Sequence, residues 1–331
     1  MNVSRFVAVL GMHRSGTSAV TRALNMVGVM LPGELMHNTQ HNSSGHWEAL
    51  EAVRIHDALF AAQQYTWDDP FIPGDVCTAH SQATTQAKTD ITAFIAHHVE
   101  PGSTFAIKDP RLCHGLPLWL DCISDTPVQP HAIIMVRNPL EVAASLAARD
   151  NMPTSMGVEL WLRYMLAAER NTRNIPRVVL HYDKLLQDWQ TTLQPVFAMI
   201  GIIPPGPESD VARQLSAFLS RGEQHHSYSL DDLTQQTHTN PAVAACYTQC
   251  MHDINTHDAQ MAFDQIRQDV ATRDACIPDE YKHVLRYHTQ QSLREISALK
   301  AELAWRNSIQ QAQLEEITWR KSVMIGHKLE P

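Results

Sequence analysis

Short apolar runs alternate with stretches of helical periodicity from the N-terminus to about residue 203. Residues 6–10, 104–107, 131–136 and 177–182 are continuous enough in valine, isoleucine and leucine to read as buried strands. Between them, Val20, Leu24 and Val27 share one helical face, as do Leu50, Val53 and Phe60. Pro139 suits the first turn of a helix, and residues 140–149 are good helix formers. Trp161, Tyr164, Met165 and Ala168 recur at helical spacing and read as core. The polar stretch 74–90 reads as a loop and a surface helix. Strand–helix alternation of this kind predicts an α/β fold, a parallel sheet covered by helices on both faces.

The pattern changes at Pro204, Pro205, Gly206 and Pro207. It divides the chain into an α/β domain over 1–207, a mostly helical and polar completion over 208–284, and a C-terminal helix within 285–331. Segment 223–241, rich in His, Gln and Thr, reads as a mobile loop or a connector. In the last segment Ile296, Leu299, Leu303 and Ile317 take heptad-like positions, but Arg306, Gln310 and Gln313 interrupt the seam. Either a coiled-coil or membrane-surface interaction element or a helix packed back on the domain fits that pattern.

Composition narrows the classes. With 331 residues and 44% apolar content, the chain can bury one large core. A formal charge of −9 argues against nucleic-acid binding, although clustered arginines in a cleft can still hold an anion. No eighteen-residue apolar run is present, and the sequence enters a strand without a leader pattern. Six scattered cysteines form no evident framework, so a reducing cytoplasm is the expected location. The sets His97-His98, His225-His226 and Cys246, Cys250, His252, His257 lack the spacing of a structural zinc site, so no metal is expected.

The chemistry concentrates where strands end. Gly11-Met12-His13-Arg14-Ser15-Gly16-Thr17-Ser18 follows the first strand and opens a helix, an arrangement in which backbone N–H groups and the helix dipole converge on an anion. It nearly meets the pattern G-x-x-x-x-G-K-[ST], with Thr17 where the lysine should stand. The cation is instead Arg14, whose planar fork of donors suits two oxygens of a phosphate or sulfate. The third strand ends in Arg137-Asn138-Pro139, and Ser145 and Arg149 share a face of the helix beyond. Another strand runs into Lys108-Asp109-Pro110-Arg111, where Asp109 and Arg111 suit an ion pair that fixes the turn.

These motifs resemble those of sulfotransferases that use 3′-phosphoadenosine-5′-phosphosulfate (PAPS), and R-S-G-T looks most like the tyrosylprotein enzymes and their bacterial relatives. The resemblance implies a sulfotransferase fold and a 5′-phosphosulfate loop made of Arg14, Ser15, Gly16, Thr17 and Ser18. It also implies a 3′-phosphate site of Arg137, Ser145 and Arg149, with Lys108 beside the transferring group and Tyr182 in the nucleotide pocket. The segment at 182–184 departs from the family's Y-E-D by reading Tyr-Asp-Lys. A base must deprotonate the acceptor hydroxyl. Position points to Glu48, with Glu51, His46 and Asp109 as competitors. Glu48 would otherwise be an acid favoured by a helix dipole in its first turn. Residues 317–322 resemble a tail found in bacterial enzymes of cell-surface polysaccharide assembly, which favours a glycan acceptor over a peptide, lipid or small alcohol. An ATP-dependent phosphotransferase and a non-catalytic nucleotide-binding partner are the other classes compatible with the loop.

Overall fold

The computed structural model describes residues 3–37, 45–73, 77, 81–220, 228–235 and 240–326. Four parallel strands, β1 (Ser4–Leu10), β2 (Thr104–Lys108), β3 (Val128–Val136) and β4 (Arg177–His181), pair in the order β2-β1-β3-β4. The strand of the phosphate loop is therefore interior, and its apolar run is buried along almost its whole length. Side chains alternate across the pleat. Phe6, Ala8 and Leu10 enter one core, while Val7 and Val9 enter a second on the opposite face.

On the first face lie helices α2 (Leu50–Ala62), α3 (Gln82–His98), α4 (Leu112–Ile123), α5 (Pro139–Asp150) and α6 (Thr154–Asn171). Trp161, Tyr164 and Ala168 are fully buried there and Met165 almost so, as their spacing suggested. The other face is covered by α1 (Thr17–Met26) and, after the short α7 (Tyr182–Gln187), by α8 (Trp189–Ile200) and α9 (Asp210–Leu219). Helices α10 (Leu230–Gln235), α11 (Pro241–Cys250) and α12 (His257–Ala275) follow. Arg177 ties α12's approach to α6. Its Nη2 donates to the Ile254 carbonyl at 2.9 Å and its Nη1 to the Glu169 carbonyl at 2.6 Å.

Two compact units divide the chain, Met1–Asp274 and Ala275–Pro331. The second consists of α13 (Asp279–Gly326), which begins before the 285 read from the heptad pattern. Leu299, Leu303 and Ile317 are exposed on it. The side chains of Ile296 and of residues 318–326 lie outside the described set, as do residues 223–227 and 236–239 of segment 223–241. No described helix is long and apolar enough to cross a membrane.

The chain leaves β1 toward β2 on one side, and β3 continues toward β4 on the other. The crevice at the carboxyl ends of β1 and β3 is thus a topological switch point, the place where open α/β sheets bind ligands. Both arginine-bearing loops open onto it.

Candidate active site

The loop after β1 is shaped by three residues with positive φ: Gly11 (139°), Arg14 (70°) and Gly16 (90°). A Cβ on Gly11 would come within 2.7 Å of the Met135 carbonyl oxygen. One on Gly16 would run into the Tyr182 ring. Both positions therefore require glycine. Gly16 also starts α1 without any side-chain cap, which leaves the helix's first N–H groups available to an anion. Ser15 is fully buried, and its Oγ has no hydrogen-bond partner among the described residues.

Arg14 turns toward the second motif. Its Nε donates to Ser145 Oγ at 2.8 Å, and its carbonyl accepts from Arg137 Nη1 at 3.1 Å. Burial and then the guanidinium groups of Arg149 and Arg137 pull the Arg14 pKa below the ordinary arginine value. The three guanidinium groups thus stand close enough to act on one another, an arrangement suited to an anion. The Arg137 guanidinium sits 4.9 Å above the Tyr182 ring, which itself abuts Gly16. Tyr182 therefore links the two loops; it is the first residue of α7 rather than the last of β4. Burial pushes its hydroxyl pKa up, so the ring stays protonated.

Two acids that the motifs did not announce temper these cations. Arg137 Nε donates to the buried Glu141 at 2.8 Å, and Arg149 pairs with Asp150 at 2.6 Å. Arg149 also lies 5.4 Å over the Trp67 ring. The α5 N-terminus is built as its sequence suggests: Asn138 caps it by accepting from the Leu140 N–H at 2.9 Å, and Pro139 follows.

Lys108 is the last residue of β2, not the first beyond it. It is buried and forms an ion pair with Glu48 Oε1, while its Nζ also donates to the His46 carbonyl at 3.2 Å. That carbonyl accepts from Ser18 Oγ as well, at 3.2 Å, which fastens the 45–48 segment to the mouth of the phosphate loop. Glu48 is not in the first turn of a helix, because α2 begins at Leu50 behind the cap residue Ala49. The first-turn acid is Glu51, which is exposed and pairs with His98 at 3.0 Å. Among the candidate bases, then, Glu48 is the one paired with Lys108. Asn42, Ser43 and Ser44 of the same motif lie outside the described residues.

Behind Lys108 runs a buried relay from helices α2 and α4. Trp119 Nε1 donates to His56 Nε2 at 2.9 Å, which leaves Nδ1 to donate to Asp109 at 2.8 Å. The other Asp109 oxygen accepts from Arg111 Nη1 at 2.7 Å and from the Arg111 amide at 3.0 Å. Burial opposes ionisation of Asp109, but Arg111 and His56 outweigh it and hold the carboxyl well below the usual range. Asp109 and Arg111 thus form the turn-fixing pair that their sequence suggested, with both Asp109 oxygens engaged within the relay. Among the described residues no group of three or more His, Cys, Asp or Glu is placed to hold a metal ion.

A family model described as "Sulfotransferase family" matches residues 7–206, which span this site and all of the sheet but the first three residues of β1. The chain belongs to the sulfotransferase family. No curated protein matches it. Among solved structures it is similar to the sulfotransferase domain of the olefin synthase from Synechococcus PCC 7002, at 19% identity and a TM-score of 0.38, over 82% of this chain and 95% of that one. It is also similar to the sulfotransferase domain of the curacin biosynthetic pathway, at 12% identity and a TM-score of 0.38, over 81% and 99%. A third is the mouse sulfotransferase SULT7A1 complexed with PAP, at 12% identity and a TM-score of 0.35, over 80% and 83%. Family membership sets this enzyme apart from the ATP-dependent phosphotransferases with which its loop shares a pattern.

Proposed function

We propose that the protein is a PAPS-dependent sulfotransferase that modifies a hydroxyl group on a glycan. The observation that carries the donor is the convergence of Arg14, Arg137 and Ser145 at the crevice between β1 and β3, where Arg14 Nε donates to Ser145 Oγ and Arg137 Nη1 to the Arg14 carbonyl. The orphaned Ser15 hydroxyl and the glycine cradle at Gly11 and Gly16 fit a phosphate-bearing ligand. When bound, PAPS supplies an activated sulfuryl group on a phosphate leaving group.

Arg14 and the N–H groups of Gly16 to Ser18 would hold its 5′-phosphosulfate, the Ser15 N–H being already donated to the Met12 carbonyl at 3.1 Å. Arg137, Ser145 and Arg149 would hold the 3′-phosphate, with Tyr182 as a wall of the pocket. Glu48 would take the proton of the acceptor hydroxyl as it attacks. The pairing with Lys108 keeps the Glu48 carboxylate oriented while leaving it a second oxygen for that proton. Lys108 and Arg14 would offset charge developing on the transferred oxygens, a role that needs no metal.

The sugar acceptor is supported by the resemblance of residues 317–322 to a tail found in enzymes of cell-surface polysaccharide assembly. Charge gives no support to an acidic peptide, since no contiguous basic groove appears in the sequence outside the cofactor motifs. A cytoplasmic location and a partner or membrane contact through α13 belong to the same proposal.

The test is thermal unfolding with adenosine 3′,5′-bisphosphate against ATP and adenosine 5′-monophosphate. A ligand at a hundredfold excess over its Kd adds about 2.7 kcal/mol. The expected outcome is a shift with the bisphosphate alone, lost in Arg137→Ala. Equal shifts with ATP, or none with any nucleotide, would sink the reading.

A further inference from the structure

One side chain of the phosphate loop has no place in the chemistry above. His13 precedes Arg14, and its Nε2 is buried without a hydrogen-bond partner among the described residues. The ring is wedged edge-on against Trp67, with centroids 4.5 Å apart, and stands 6.4 Å from Tyr164. A buried, unpartnered imidazole nitrogen is costly and calls for an explanation, here at the loop that carries Arg14.

The surroundings decide what the nitrogen can do. Burial holds the His13 pKa well below the ordinary value, and the cations Arg149, Arg111 and Lys108 add to the effect in that order. Asp109 opposes them, but its carboxylate is already taken up by His56 and Arg111. Accepting a proton would put a further positive charge among these cations, so His13 is badly placed as a base. Donating an N–H to an anion adds no charge. The same cations that oppose an imidazolium draw the anion toward it.

We propose, resting on PAPS as the donor, that His13 is a further catalytic residue whose Nε2–H donates a hydrogen bond to an oxygen of the sulfuryl group in transfer. The bond between sulfur and the bridging phosphate oxygen breaks, and a bond from sulfur to the acceptor oxygen forms. The acceptor's proton goes to Glu48, and His13 keeps its own proton throughout. His13 then acts on the transferred oxygens together with its neighbour Arg14 and with Lys108.

The two nucleotides that differ by the sulfuryl group supply a test that needs no acceptor. Calorimetric Kd values for PAPS and adenosine 3′,5′-bisphosphate are measured for the unaltered protein, His13→Leu and His13→Gln, together with acceptor-free PAPS hydrolysis across pH. A lost hydrogen bond to an anion should weaken PAPS binding in His13→Leu about tenfold or more, with the bisphosphate little changed. His13→Gln, which keeps an N–H donor, should recover most of the loss and leave the pH profile of hydrolysis unmoved. Equal weakening of both nucleotides overturns the proposal while PAPS use stands. So does a Gln variant as impaired as Leu, or one that loses a limb of the pH profile. Binding of neither nucleotide to the unaltered protein overturns the donor reading and this one together.

Discussion

Arg14 Nε and Ser145 Oγ, 131 residues apart in sequence, meet at 2.8 Å and join the loop after β1 to helix α5. The hydroxyl steers the guanidinium as well as being available to a phosphate. Ser145→Ala should therefore loosen Arg14 and weaken adenosine 3′,5′-bisphosphate binding by roughly tenfold, the worth of one hydrogen bond to a charged group. Arg14→Ala should lower kcat by about 10²–10³, the usual cost of removing one preorganised donor. Calorimetry and steady-state kinetics check both. An Arg14→Ala enzyme with unchanged kcat would remove this residue from the transition state.

The buried pair of Glu48 and Lys108 separates stability from catalysis. Removing one partner of such a pair leaves an uncompensated buried charge, at about 3–5 kcal/mol. Glu48→Leu should accordingly lower both the unfolding free energy and the activity. The double variant Glu48→Leu/Lys108→Met should regain most of the stability, because both charges are gone, and none of the activity. Glu51→Gln, at an exposed position paired with His98, should leave both near the starting values. Denaturant titration alongside turnover distinguishes these cases, and an active double variant would disqualify Glu48 as the base.

Acid should destabilise the fold through His114. It is buried against Phe60 and Tyr164, neither ring nitrogen has a hydrogen-bond partner among the described residues, and burial pushes its pKa down to about 3. The unfolded chain protonates this histidine near pH 6.5, the folded chain only far below. Between those limits the unfolded state binds more protons, so stability is full above about pH 6.5 and falls by about 1.4 kcal/mol per pH unit beneath it. From pH 7 to pH 5 the loss from this side chain is roughly 2 kcal/mol. Urea unfolding at the two pH values should show it, with a shallower dependence in His114→Leu. An unchanged slope in the variant would assign the acid sensitivity elsewhere.

The sheet was legible in the sequence because its signals are local. Four apolar runs, each followed at once by charge or glycine, mark strands whose carboxyl ends share one edge. Arg14, Lys108, Arg137 and Tyr182 gather there because each stands at or just past a strand end. Glu141 and Asp150 lay in plain view one helical turn and one residue from the arginines they pair with, but a motif reading has no reason to set an acid against a phosphate-binding cation. The relay through Trp119, His56 and Asp109 spans 63 and 53 residues and exists only because α2 and α4 pack on the same face of the sheet. His13 carried no sequence signal at all. Its interest lies in an unpartnered nitrogen, which a sequence does not display.

The alternation of β1 between two cores sets the spacing of the crevice. Phe6, Ala8 and Leu10 are committed to one side and Val7 and Val9 to the other, so a slip of one residue against β3 would turn all of them to the wrong face. The strand cannot creep along its neighbour to relieve strain at its end. The distance from the loop at Gly11 to Arg137 is thereby clamped from below, and a ligand with two anionic groups meets a gauge of fixed length. With the proposed donor, selectivity for the separation of two charges on a nucleotide would originate in the oil of the interior, well away from any residue that would touch the ligand.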